Sequence, residues 1–255
     1  MNARREVINA IQQSVRYPVS PYREVFHLPD IMLPNPEGIP PMSVFLRPEP
    51  DVEGREERLR ERDNDDCAPS VLGSYQAMRS PGVIKLNKRN LINFFWRLVL
   101  DIDATLPGWQ WRKEDVELLS GWVVDQTYYH ERFHHSMDVL RHLFDVQTFD
   151  PLQEEALAVA YSRYHLHDGN DHYYRHRHGS EGHVLLEAFF RQAFCYTSPG
   201  YRDWPHYSDI AALQTGVCDY LGLKNSTWLK ASRVPVKRMV FELLLVEGGF
   251  EERVV

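Results

Sequence analysis

The chain has little cysteine, no long apolar run and, over its first half, almost no histidine. Its three cysteines, Cys67, Cys195 and Cys218, are odd in number and far apart. They make neither a disulfide framework nor a cysteine-type zinc site, which suits a reducing compartment. No stretch approaches the apolar length that spans a bilayer. The opening "MNARREVINA" lacks the apolar core of a signal peptide, so a soluble, cytoplasmic protein is expected. The formal net charge of −7 comes with no basic stripe, which argues against general binding to a nucleic-acid backbone.

What is present is an ordinary globular composition, 43% hydrophobic and 25% charged, over 255 residues. That length suits one large domain or two small ones. Residues 3–16 predict a short helix with Val7, Ile8 and Ile11 on one side. Residues 18–50 are rich in proline, which removes donors and disfavours helices. The run "DVEGREERLRERDNDD" has too little apolar surface to offset its ordering entropy, so it reads as a solvated helix or a disordered linker. The boundary falls near Pro81. Residues 1–80 form an extension and charged linker, and residues 81–255 form the domain.

The domain reads helical. "NLINFFWRLVLDI" sets Leu91, Ile92, Phe95, Leu98 and Val99 on one face, and "KEDVELLSGWVVDQ" does so with Val116, Leu119, Trp122 and Val123. Residues 135–144 place Val139, Leu140, Leu143 and Phe144 together. "DPLQEEALAVAYSRYH" opens with Asp150 as N-cap and Pro151 at the first helical position. "SEGHVLLEAFFRQAF" begins at a Ser180 cap and buries Val184, Leu185, Ala188 and Phe189. "DIAALQTGVCDYLG" and "VKRMVFELLLVEGG" complete the set, with no strand alternation and no internal repeat. The expected fold class is all-α.

Of the 12 histidines, all but His27 lie between His130 and His206. Three crowd into "YHERFHHSMDVL", which then becomes apolar-periodic. Downstream, "YHLHDGND" puts His167 and Asp168 at a helix C-terminus, and Glu181 starts the next helix. Neutral imidazole with carboxylate suits a divalent Mn, Fe, Co, Ni or Zn ion. A vicinal His-Asp pair can serve one ion only where the helix breaks, and Gly169-Asn170 supply that break. His135 lies four residues before Val139 and eight before Leu143, on the expected apolar face. His134 is rotated by about 100° toward the polar side, so His135 is the better ligand. His130, in the turn before that helix, is placed to contact substrate or donate a proton. Glu181 precedes Val184 and Leu185 and is expected to point inward. Arg175 and Arg177 can clamp a phosphate bidentately.

Tyr129-His130 followed by a histidine and an apolar helix, then His167-Asp168, resembles the HD superfamily of metal-dependent phosphohydrolases, over roughly residues 85–225. The resemblance implies an HD-like helical bundle that holds one ion through His135, His167, Asp168 and a later aspartate, Asp209 or Asp219. Asp209 shares a face with Leu213 and Val217 and is preferred; if the family's aspartate falls at Thr215 instead, the site is incomplete. The implied activity is hydrolysis of a small phosphorylated molecule, a nucleotide above all, by metal-activated water. Glu181 would orient that water, His130 would protonate the leaving oxygen, and Arg175 and Arg177 would offset charge. The spacing Tyr129-His130-x4-His135 is one residue longer than the family's, unless His134 is the ligand. Two other functions fit the same residues. One is an HD-fold di-iron oxygenase drawing on His183 and His206; the other is a non-catalytic, nucleotide-binding regulatory protein.

Overall fold

The structure is a computed structural model that describes residues 3–15, 25–26, 72–76, 82–169, 171–223, 240 and 250–255. Within these, the side chains of residues 25–26, 76, 168–169, 171–181 and 250–251 are outside the description. Nearly all of the proline-rich and charged stretches, and the expected "VKRMVFELLLVEGG" helix apart from Val240, lie outside the described residues.

Ala3, Val7 and Ile11 recur every four residues and are buried, so one apolar stripe holds α1 (Ala3–Ser14). Five further α-helices follow among the described residues: α2 (Lys88–Thr105), α3 (Lys113–Phe144), α4 (Pro151–Tyr164), α5 (Asp171–Ala193) and α6 (Ile210–Tyr220). A π-type turn over His165–Gly169 follows α4, and a 3₁₀ turn over Tyr201–Tyr207 precedes α6. The protein is mostly helical, as its patterning predicts. No helix of the described residues is long and apolar enough to cross a membrane.

Two small sheets accompany the helices. β1 (Val25–Phe26) pairs antiparallel with β4 (Trp111–Arg112). β3 (Gly82–Leu86) lies between antiparallel β2 (Gly73–Gln76) and parallel β5 (Phe250–Val254), with Gly82 opposite Phe250. These strands carry no period-2 signal for a physical reason. Val83, Ile84 and Leu86 are all buried, so "GVIKL" is covered on both faces rather than alternating.

Helix ends follow their sequence cues. The Asn87 side chain accepts from the Asn90 amide at 3.0 Å and opens α2. Asp150 accepts from the Leu152 amide at 2.9 Å, with Pro151 at the first position of α4. The α3 helix stops at Asp145, which adopts the left-handed conformation at φ 54°.

Two helices differ from expectation. Residues 113–144 form one continuous helix of 32 residues, so His130 lies inside a helix and not in a turn before it. Nothing in "GWVVDQTYYHERFHH" breaks a helix except Gly121, and one glycine costs only about 1 kcal/mol. The α3 helix runs through the centre of the molecule, against α1, α2, α4 and both β2 and β3. Its polar residues Gln126, Glu131, Arg132, His135 and Asp138 are buried, while Val139 and Leu143 are 52% and 64% exposed. The core face is set by Phe133, Met137 and Leu140 instead. Likewise, α5 begins at Asp171, which places Ser180 and Glu181 within a helix and the stretch "DHYYRHRHG" in helical backbone. Leu185, Ala188 and Phe189 are buried as expected, whereas Val184 is 43% exposed.

A candidate metal centre on the central helix

Because α3 is continuous, His130 and His134 are one turn apart on the same face. That face meets the start of α4, where Glu154 ends the first turn after the Asp150 cap and Glu155 follows it. The His130 Nε2 atom lies 3.2 Å from Glu155 Oε2 and 3.2 Å from His134 Nε2, and the third side, His134 Nε2 to Glu155 Oε2, is 3.5 Å. The three side chains are half-buried, and together they could hold a metal ion.

The dimensions fit an ion. Tetrahedral coordination with bonds of about 2.0–2.1 Å separates neighbouring donor atoms by about 3.3–3.4 Å. The donor set, two imidazoles and a carboxylate, is one that leaves a further position open. Protons and a cation are alternative occupants of the same space. Without an ion, Glu155 Oε2 is the acceptor available to both Nε2–H groups, or one imidazole donates to the other across 3.2 Å. A cation at the centre satisfies all three atoms at once.

Behind the triad is a second layer. The His134 Nδ1 atom lies 2.8 Å from Glu154 Oε1. The Glu154 Oε2 atom accepts from Arg141 Nη1 at 3.1 Å and from the Tyr220 hydroxyl. Arg141 also reaches Asp138 Oδ1 at 3.4 Å, and its guanidinium lies over the Phe149 ring at 3.9 Å. Burial alone would lower the His134 pKa, but the charge of Glu155 and hydrogen bonds to both glutamates outweigh it and hold the pKa well above the imidazole range. Conversely, burial would raise Glu155, and the facing imidazoles hold it well below the carboxylate range. Glu154 is also lowered, against its burial, by His134 and Arg141. In front, Tyr201 stacks on the His130 ring, with centroids 5.6 Å apart.

The ligands inferred from sequence are distributed differently. His135 faces away from His134: its Nδ1 lies 3.3 Å from the Tyr75 hydroxyl on β2, and the two rings meet edge to face. His167, in the π-type turn, lies against the Phe190 ring. Asp209 is an exposed N-cap that accepts from the Ala212 amide at 2.8 Å, so it does not point inward with Leu213 and Val217. Asp219 is exposed on α6, and Thr215 bonds its own helix at Ala211. None of these joins a group of potential ligands among the described residues. His183 and His206 are exposed and lie outside the triad. The side chains of Asp168, Arg175, Arg177 and Glu181 lie outside the described residues.

Sequence reasoning missed Glu154 and Glu155. Acids at or near a first helical turn are ordinarily explained by the helix dipole, which hides a second use. The His130-x3-His134 spacing was a usable signal once the segment was seen as uninterrupted helix. No family model, curated protein or solved structure matches the chain.

Proposed function

We propose that the chain is a metal-dependent phosphohydrolase of HD type acting on a small phosphorylated molecule, a nucleotide above all. The observation that carries the reading is the convergence of His130 Nε2, His134 Nε2 and Glu155 Oε2 at 3.2–3.5 Å. With His134 in place of His135, the Tyr129-His130…His segment also has the family's usual spacing. A divalent ion held by these three residues would supply Lewis acidity toward a phosphoryl oxygen and make water more acidic. The protein's own contribution is to hold the three donors on two rigid helices, α3 and α4. Tyr201 covers His130 on one side and limits how a substrate approaches.

The test is elemental mass spectrometry of untagged protein beside His134→Ala, followed by a screen of nucleotides and simple phosphoesters. About one ion per chain, lost in the variant, with metal-dependent phosphate release supports the proposal. No ion after reconstitution, or an ion with no phosphoester turnover, overturns it. One further reading has an observation in its favour, since two histidines and a carboxylate are also the donor set of non-haem iron oxygenases. Iron as the bound metal, with oxygen uptake and no phosphate release, would select that reading.

A further inference from the structure

We propose that Glu154 is a positioning residue for the metal centre: it holds the His134 ring by its Nδ1–H and so commits Nε2 to the ion. This inference rests on the metal-centre reading above. Glu154 and Glu155 are adjacent on α4, so their side chains diverge by about 100° and cannot serve the same atom. Glu155 meets the ligand nitrogens, whereas Glu154 meets the opposite edge of the His134 ring at 2.8 Å. Glu154 is 6% exposed, and both of its oxygens are occupied. One oxygen takes His134 Nδ1; the other takes Arg141 Nη1 at 3.1 Å and the Tyr220 hydroxyl.

Arg141 and Tyr220 come from different elements, α3 and α6, and also contact each other at 3.0 Å. The carboxylate is therefore pinned from two sides, and it cannot rotate without giving up its contacts to Arg141 and Tyr220. A ring fixed in this way presents one nitrogen and one orientation. Such outer partners of a ligating histidine typically contribute 10–100-fold to metal affinity.

The test uses the full-length chain and Co²⁺ as the probe. Affinity is read by competition with a chromophoric chelator in wild type and in Glu154→Gln. Glutamine keeps the volume, but an amide that accepts from His134 must turn its NH₂ toward Arg141, setting donor against donor. The expected result is a 10–100-fold weaker Co²⁺ complex, with unchanged helical circular dichroism. Undiminished affinity in a folded variant overturns the role of Glu154 and leaves the metal centre standing. A wild type that binds no Co²⁺ overturns both. Should the variant not fold, the Co²⁺-loaded wild type decides by NMR. A strongly shifted N–H of His134 that exchanges slowly with D₂O is expected; its absence overturns the proposal.

Discussion

His134 and His135 are adjacent in sequence, yet their Nδ1 atoms serve different walls of the molecule. One lies 2.8 Å from Glu154 on α4, and the other lies 3.3 Å from the Tyr75 hydroxyl on β2. The 100° between successive helical residues turns one ring toward carboxylates that can share an ion. It turns the other toward a phenol, where burial and the bond to Asp138 push the Tyr75 pKa up.

This separation predicts opposite phenotypes for two neighbouring substitutions. His134→Ala should lose bound metal while leaving the protein folded. His135→Ala should keep its metal and lose about 1–3 kcal/mol of stability, because the Tyr75 hydroxyl gives up a buried partner. Metal content per chain and urea unfolding, measured on both variants, check this. The reverse pattern would mean that the two rings have exchanged roles.

Arg141 joins Glu154 and Asp138, which are 6% and 8% exposed. Arg141→Met should cost about 3 kcal/mol, because both carboxylates lose their cation while staying buried. A denaturant midpoint within error of wild type would show that this network adds nothing to folding.

Acid should weaken the fold through His165. Its ring stacks on Tyr129 with centroids 4.3 Å apart, and its buried Nε2 has no hydrogen-bond partner among the described residues. Burial first, and the nearby Arg132 charge second, lower its pKa to about 4. The unfolded chain binds that proton near the ordinary value of about 6.5, so unfolding takes up a proton between the two values. Stability contributed by the neutral ring is complete above about pH 6.5 and is lost as pH falls toward 4, by up to about 3 kcal/mol. His165→Phe should flatten that slope in urea titrations followed by tryptophan fluorescence. An unchanged slope would assign the acid sensitivity elsewhere.

Gly216 inverts the usual effect of alanine in a helix. By propensity alone, Gly216→Ala within α6 should stabilise by up to about 1 kcal/mol. Here the added Cβ would stand 2.6 Å from Tyr207 Cε1 and 2.8 Å from Leu157 Cδ2. The expected outcome is a loss of about 1–3 kcal/mol from overpacking, read as a lower thermal midpoint. A raised midpoint would mean that Tyr207 moves aside freely.

Much of the fold was legible in the chain. The cap at Asp150, the stripe of α1 and the apolar spacing of α2 are local features, and local sterics and hydrogen bonding set them. The same reasoning failed on α3, because a helix packed against several elements buries polar residues and its exposed positions are partly apolar, so its phase is not marked by polarity. Its His130, His134 and His135 meet Glu155, Glu154 and Tyr75, and its exposed Val139 and Leu143 mimic a core stripe. The strands were invisible because β3 pairs with β5, about 170 residues away in sequence, and residues buried on both faces do not alternate.

Local patterning is enough to specify a mostly helical protein with a concentration of imidazole and carboxylate in its second half. It also specified most helix starts and stops, since those depend on residues within one turn of each other. Which donors meet is settled by packing between distant elements. Whether His134 or His135 faces the acids depends on where α4 lies against α3, and that is fixed by packing around the whole central helix. A rotation of one residue along α3 would exchange the two histidines, and no local pattern resolves so small an angle.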